Sequence, residues 1–330
     1  MVSDLPTTVF QLLNSWQHGF PLVSRPFRKL GLSLGLSEQA VLAYFQQWQQ
    51  NGVLSRIGPV LNPSCLSSTL VGMHVPANRL DEVAAHISAL PEVNHNYERE
   101  HKINLWFVVA CAQAQDLQNT LEAIARETSL TPLSLPMLSG YHIDLGFSLA
   151  HTAKAPAQVS DCMSLPADGS PEQAMLRAAL HGLALVPEPF MALSEQVGMP
   201  EKQVLSVLSS WLDQGLLRRF GVVLRHRSLG YIANAMCVWT IPEHLIDELG
   251  RRLATEPGVT LCYHRRPQPP TWTHNLFCMI HGKDRSQVSA QHARMSQKFG
   301  LERFPHDILF SSRCFKQRGA WLAPLRTHHD

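Results

Sequence analysis

Asn96–Val109 reads N-Y-E-R-E-H-K-I-N-L-W-F-V-V, and a second version occupies Cys262–His281 as C-Y-H-R-R-P-Q-P-P-T-W-T-H-N-L-F-C-M-I-H. Both pass from a Tyr-x-Arg step to an Asn-Leu-aromatic step and then into an apolar run. His101 lies between the steps in the first copy. His264, Arg266, Trp272 and His274 lie within or between them in the second. An extended strand sends alternate side chains to opposite faces. His95, Tyr97, Arg99 and His101 therefore fall on one face, which offers donors, a fixed positive charge and a titratable imidazole. Such a face suits a ligand that bears carboxylates. Leu105–Ala110 reads as a buried strand returning beside it, with the turn at Glu100–Ile103. Tyr263 and Arg265 hold the same parity, and their turn is longer and contains three prolines. A surface hairpin with solvated charges is the plain alternative. The recurrence of the polar cluster at the matching place in a second half argues against it.

That recurrence extends along the chain. Leu22–Leu61 aligns without gaps to Leu185–Leu224, matching Pro26-Phe27 to Pro189-Phe190, Trp48 to Trp211, Gly52 to Gly215 and Arg56 to Arg219. Asn104-Leu105 answers Asn275-Leu276. The protein is two homologous halves, joined by Thr152–Pro171, whose Ala, Pro, Ser and Asp give it linker composition. Each half opens with a helical segment: Leu5–Trp16, Pro26–Leu34 with proline at its start, and Ser37–Gln50 with Ser37 as N-cap and Gly52 just past the end. Val41, Leu42, Phe45 and Trp48 form the buried stripe of the third helix. Leu54–Leu61 reads as a short strand pair. Three helices and a small β element make a winged helix, repeated over Glu172–Leu224.

The rest of each half alternates strands and helices. The first reads strand Leu70–Val75, helix Leu80–Leu90, hairpin Val93–Arg99 and Asn104–Cys111, helix Ala114–Glu127, and a last strand Tyr141–Leu149. The second reads strand Ile232–Thr240, helix His244–Thr255, hairpin Val259–Arg265 and His274–His281, helix Arg285–Phe299 and strand Asp307–Phe315. That order is βαββαβ, the ferredoxin-like arrangement. The expected class is α+β with two tandem repeats: winged helices at 1–63 and 172–226, ferredoxin-like domains at 64–151 and 227–330, and a linker at 152–171.

Composition bounds the function. The chain has 330 residues, 45% hydrophobic and 16% charged, with a net charge of +2. It is globular and lacks the broad basic footprint of a nucleic-acid binder. Its 17 histidines add positive charge below about pH 6.5. The seven cysteines form no C-x-x-C pair, so neither a cysteine-based metal site nor a disulfide framework is expected, and free thiols fit a reducing compartment. No apolar run approaches the ~20 residues of a spanning helix, and Met1–Thr8 does not resemble a signal peptide. A cytoplasmic protein with no membrane segment is expected.

A winged helix followed by βαββαβ resembles the Lrp/AsnC regulators. A recognition helix, however, needs basic residues for phosphates and polar ones for bases. Ser37–Gln50 contains one Glu and no Lys or Arg, and Pro200–Gln214 is net negative. Phosphate contacts supply most DNA affinity, so DNA binding is not expected and the helices read as packing modules.

The hairpin motifs, Tyr97-x-Arg99-x-His101-x-x-Asn104-Leu105-Trp106 and Tyr263-x-Arg265-Arg266 … Trp272-x-His274-Asn275-Leu276, on this double architecture resemble the siroheme decarboxylases of the fused NirD–NirL type, over nearly the whole chain. The resemblance implies removal of CO2 from the C12 and C18 acetates of siroheme, giving didecarboxysiroheme in heme d1 biosynthesis. It also implies that no external cofactor is needed, since the substrate carries its own iron. It further implies association with a second decarboxylase pair. Arg99, Arg265 and Arg266 suit the carboxylate rim, and Trp106 and Trp272 suit the ring faces. His95, Tyr97, Asn104, Tyr263 and Asn275 complete the expected binding set. Decarboxylation leaves electrons on the methylene carbon, where the macrocycle delocalises them. The protein then delivers a proton, a role for an imidazole worth about 10²–10⁴-fold. His101, His264 and His274 are the candidates, oriented with Arg99, and His101 is the first choice. A histidine ligating the substrate iron is the alternative. No protein-bound metal is expected. One site per half and a single competent hairpin are both open, and the unequal motifs favour the single site.

A tetrapyrrole-responsive regulator is the second reading, and an amino-acid sensor the third, for which the Arg/His/Trp cluster is oversized. Fused halves imply an intrachain pseudo-dimer, with homo-oligomerisation as a further option.

Overall fold

The computed structural model of the chain describes residues 7–143, 164–225, 230 and 233–319. The first repeat runs α1 (Thr7–Asn14), α2 (Pro26–Leu34), α3 (Glu38–Gln50), β1 (Leu54–Leu61), β2 (Ser67–Met73), α4 (Leu80–Ala89), β3 (Val93–Arg99), β4 (Leu105–Cys111), α5 (Ala114–Thr128) and β5 (Leu133–Ile143). The second runs α6 (Pro171–His181), α7 (Pro189–Val197), α8 (Glu201–Asp213), β6 (Leu217–Leu224), β7 (Ala233–Trp239), α9 (Glu243–Ala254), β8 (Val259–Arg265), β9 (Leu276–Gly282), α10 (Arg285–Phe299) and β10 (His306–Gln317). Most of the expected linker Thr152–Pro171 lies outside the described residues.

The repeats are not the physical units. The helical segments of both repeats, with β1 and β6, form one compact unit, and the two βαββαβ domains form the other.

In the helical unit the local signals act as the sequence suggests. Ser37 Oγ accepts from Ala40 N at 3.1 Å, which satisfies one of the free donors at the start of α3. Phe27, Phe45 and Trp48 pack with ring centroids 5.8 and 5.4 Å apart. The expected strand pair at Leu54–Leu61 is corrected: it is one strand, β1, and it pairs antiparallel with β6, with Gly58 opposite Gly221. The hairpin partner comes from the other repeat, which a local reading cannot see. A Cβ at Gly221 would lie 2.4 Å from the Gln17 carbonyl, so only glycine allows that approach.

In the second unit eight strands close a barrel in the order β10-β3-β4-β2-β5-β8-β9-β7. Two strands make the closure. Residues 133–136 of β5 pair with β2 of their own repeat, and Met137–Ile143 pair with β8 of the other. β10 does the same, pairing through Phe310 with β7 and from Ser311 onward with β3. Closure removes the unpaired edges a four-stranded sheet would leave. The exchange reaches the outer layer too. Tyr141 of β5 packs in the core under α9 and donates to Asp247 at 2.6 Å, while Phe315 of β10 packs against the core under α4.

The last strand of the first repeat therefore begins at Leu133, eight residues before the expected Tyr141. Pro136 and Gly140 lie in the stretch added at the front of that strand. Here they sit beside bulges at Met137/Ser139 and Gly140/His142, where an irregular strand tolerates them. The expected continuation to Leu149 lies outside the described residues.

Side-chain alternation sorts the barrel into two faces. Outward-facing apolar residues pack under the helices in one core per repeat. Inward-facing ones fill a shared core of Ile103, Trp106, Leu133, Leu135, Met236, Val238, Trp272, Phe277 and Leu309. Cys65 is disulfide-bonded, which corrects the expectation that the thiols are all free. Cys111, Cys237, Cys262, Cys278 and Cys314 are free. Among the described residues no helix is long and apolar enough to cross a membrane.

Candidate active site at the barrel mouth

Both motif hairpins end at the same mouth of the barrel. The β3–β4 turn lies along the start of β10, with Glu100 N donating to Phe310 O at 3.0 Å. The β8–β9 turn lies along the start of β5, with Arg266 N donating to Pro136 O at 3.0 Å. Gln268 and Trp272 exchange two backbone hydrogen bonds of 2.8 and 2.9 Å, and this tight loop sets the Trp272 indole over the mouth. Its ring centroid lies 5.0 Å from Trp106, 5.6 Å from His101 and 5.0 Å from His274. A histidine from each repeat thus meets at one indole. Gly72 makes room beneath, because a Cβ there would lie 2.8 Å from Ile103 Cγ2 and 3.1 Å from the Trp106 ring.

The two imidazoles are held differently. Ile103 N donates to His101 Nδ1 at 3.0 Å. With Nδ1 accepting, the ring hydrogen sits on Nε2 and the imidazole is neutral. His274 is held on both sides: Nε2 lies 3.0 Å from the acceptor Asp307 Oδ2, and Nδ1 lies 3.0 Å from Thr240 Oγ1, a hydroxyl that can donate or accept, with Thr273 Oγ1 3.3 Å beyond Thr240. That arrangement accommodates a doubly protonated ring. Burial pushes both histidines below the usual imidazole range, and Asp307 pulls both back up. Lys102 and His274 further lower His101, and His306 lowers His274.

His264 does not join this cluster. Strand parity turns it to the face opposite Tyr263 and Arg265, where it is buried with Nε2 3.9 Å from Glu243 of α9. The structure thus places it apart from the two imidazoles at the mouth. The expected face of the first hairpin holds through the strand: His95 stacks on Tyr97 at 6.4 Å, and Arg99 lies 5.5 Å over Tyr97.

Arg99 and Arg265 tie the repeats together. Arg99 Nη1 donates to Leu309 O of β10 at 2.9 Å, and Arg265 Nη1 donates to Leu135 O of β5 at 2.8 Å. Each guanidinium is buried and grips the strand that crosses between sheets. Arg265 also lies 5.0 Å over Tyr263, and burial pushes it down to about 10. Asn104 accepts from Val75 N and donates to Val75 O, both at 2.9 Å. Asn275 does the same to Ile241 at 2.8 Å. Both amide functions of each Asn are engaged by backbone, and in this structure the two residues brace the hairpins. Arg266 is exposed at the mouth and is the motif guanidinium that remains open to solvent. Trp106 is buried and donates to Ile103 O at 2.8 Å.

Asp307 and Thr240 were absent from the expected site. They come from a strand start and a loop with no motif of their own, and the β10-β7-β9 pairing within the second repeat brings them to His274. Among the described residues no group of three His, Cys, Asp or Glu side chains could hold a metal ion.

The comparisons with known proteins agree with this architecture. The chain matches the family model of the AsnC-like ligand binding domain at residues 66–141 and 228–316, and that of the siroheme decarboxylase NirDL-like HTH domain at 10–54 and 172–218. It is 41% identical over 321 residues to the siroheme decarboxylase NirDL subunit of Paracoccus pantotrophus, covering 96% of this chain and 97% of that one. It is 31% identical to the siroheme decarboxylase of Hydrogenobacter thermophilus, covering 93% and 92%. Among solved structures it is similar to siroheme decarboxylase NirDL in co-complex with an iron-uroporphyrin III analogue, at a TM-score of 0.70 and 27% identity, covering 96% of this chain and 94% of that one.

Proposed function

The chain belongs to the siroheme decarboxylases of the NirDL type, and on that premise we propose that it removes the C12 and C18 acetate carboxyls of siroheme as CO2 at the barrel mouth. The observation that carries this reading is the convergence of His101 and His274, one from each repeat, on Trp272. The likeness to a decarboxylase that binds an iron-uroporphyrin analogue favours this reading over a ligand-responsive regulator.

The chemistry follows from the groups present. The bond between the acetate methylene and its carboxyl breaks, CO2 leaves, and the electron pair stays on the methylene carbon. The conjugated macrocycle spreads that charge, so the substrate is its own electron sink and the reading calls for no external cofactor. A proton then completes the methyl group. We assign its delivery to His274, whose Nε2 is hydrogen-bonded to the Asp307 carboxylate. His101, neutral with its hydrogen on Nε2, orients the acetate by donating to it. This revises the expectation that His101 is the donor. Arg266 pairs with rim carboxylates, while Trp272 and Trp106 back the mouth with aromatic surface.

The reaction uses one mouth shared by both hairpins, in place of one site per half or one competent hairpin. The second acetate is reached by rebinding in a turned orientation. A cytoplasmic location and association with a second decarboxylase pair, or with further copies of this chain, belong to the same reading. The test is anaerobic incubation of the purified chain with siroheme, followed by mass spectrometry. Loss of two CO2 is expected. An intact substrate overturns the reading, and loss of one CO2 overturns the claim that this chain suffices.

A further inference from the structure

The strand registers allow the two repeats to be compared position by position around the mouth. Asn104 and Asn275 grip Val75 and Ile241 in the same way, so Ile103 answers His274 and His74 answers Thr240. Gly72 lies opposite Leu133 on β5, and Val238 lies opposite Asp307 on β10, so Leu133 answers Asp307. The first repeat therefore builds the same backbone with isoleucine and leucine where the second has a histidine and an aspartate 3.0 Å apart. The fold does not require the pair.

Asp307 also has an electrostatic cost at this position. Its side chain is half exposed, at a mouth read as receiving a polycarboxylate, and like charges repel. A carboxylate there needs a compensating use. Its partners supply one: it hydrogen-bonds to His274 and is the anion that raises both His274 and His101 against burial and against Lys102 and His306.

We propose that Asp307 is a positioning residue for the reaction, orienting His274 through Nε2 and favouring protonation of the one histidine it hydrogen-bonds. The proposal rests on the decarboxylase reading above. It predicts a change in pH dependence that a merely structural contact would not produce.

The test compares the wild-type chain with Asp307→Asn and Asp307→Glu. Two readouts are taken: the imidazole NMR titration of His274 without substrate, its signal identified by loss in His274→Gln, and the pH profile of the single-turnover rate with siroheme. Removing an opposite charge lowers a histidine pKa by about one unit or more. In Asp307→Asn the His274 titration moves down by about that much. The alkaline fall of the rate moves with it, so activity drops about tenfold above the midpoint and little below it. Asp307→Glu restores both. An unmoved His274 titration overturns the proposal alone, and so does a rate that falls equally at every pH. A wild-type chain that leaves siroheme intact overturns the decarboxylase reading itself, and with it the catalytic use of Asp307, whatever the NMR shows.

Discussion

The first repeat turns from β3 to β4 through Glu100–Asn104, whereas the second turns from β8 to β9 through Arg266–Asn275. What the two turns share is Tyr, Arg and Asn, and in both repeats the Arg and Asn bind backbone. Arg99 and Arg265 hold the crossing strands, and Asn104 and Asn275 pin Val75 and Ile241. What they do not share is His101, Trp272 and His274, and these meet at the mouth. In this chain the repeated residues build the scaffold, and the unrepeated ones are those assigned here to the reaction. Taken from sequence, the recurrent polar cluster argued for function. The structure shows that the recurrent part is the joint between sheets.

The comparison breaks most readily at the histidines. His101→Ala and His274→Ala are each expected to lower decarboxylation by about 10²–10⁴-fold. Each should stop both CO2 losses, because one mouth serves both, and the double variant should be little worse than either single one. Two variants that each lose one CO2 cleanly would restore the picture of one site per repeat. Glutamine sharpens the roles, since its amide is a neutral donor of similar reach. His101→Gln should keep more activity than His101→Ala, and His274→Gln should gain nothing over His274→Ala.

The arginines come next. Arg266→Ala should raise KM about 10- to 100-fold with little loss of stability, as expected for one charge-assisted contact worth about 1.5–3 kcal/mol. Arg265→Ala should instead cost about 3 kcal/mol of stability through a lost buried hydrogen bond and the cavity left behind, read by denaturant unfolding. Arg99→Ala should match it. The smallest effect is expected at the asparagines. Asn104→Ala and Asn275→Ala should each destabilise by about 2 kcal/mol, with rates per folded molecule unchanged. A KM effect there would return Asn104 and Asn275 to the binding site.

Much of the fold was legible because its signals are local. Ser37 before α3, Pro26 and Pro189 at helix starts, and the alternation of His95, Tyr97 and Arg99 each need only a few neighbours. The site was legible in part, since the hairpins, His101, Trp272 and His274 stand in the motif itself. What escaped depends on pairing between distant segments. The partner of β1 lies in the other repeat, and β5 runs through Pro136 and Gly140 because it changes sheets there. Parity alone places His264 on the helix side once Tyr263 and Arg265 face inward, so that placement was available from the sequence. Asp307 was not. Nothing near it in the chain distinguishes it from other aspartates at strand starts.

The crossing of β5 and β10 has a consequence for how such a site can vary. In a dimer of identical subunits every substitution appears twice, on both sides of the symmetry axis. A histidine placed by His274's position would face a second histidine, and Asp307's position would put two carboxylates at one mouth. Joining the copies in one chain lets each change occur once. The barrel keeps its twofold backbone, while its mouth carries different side chains on its two sides.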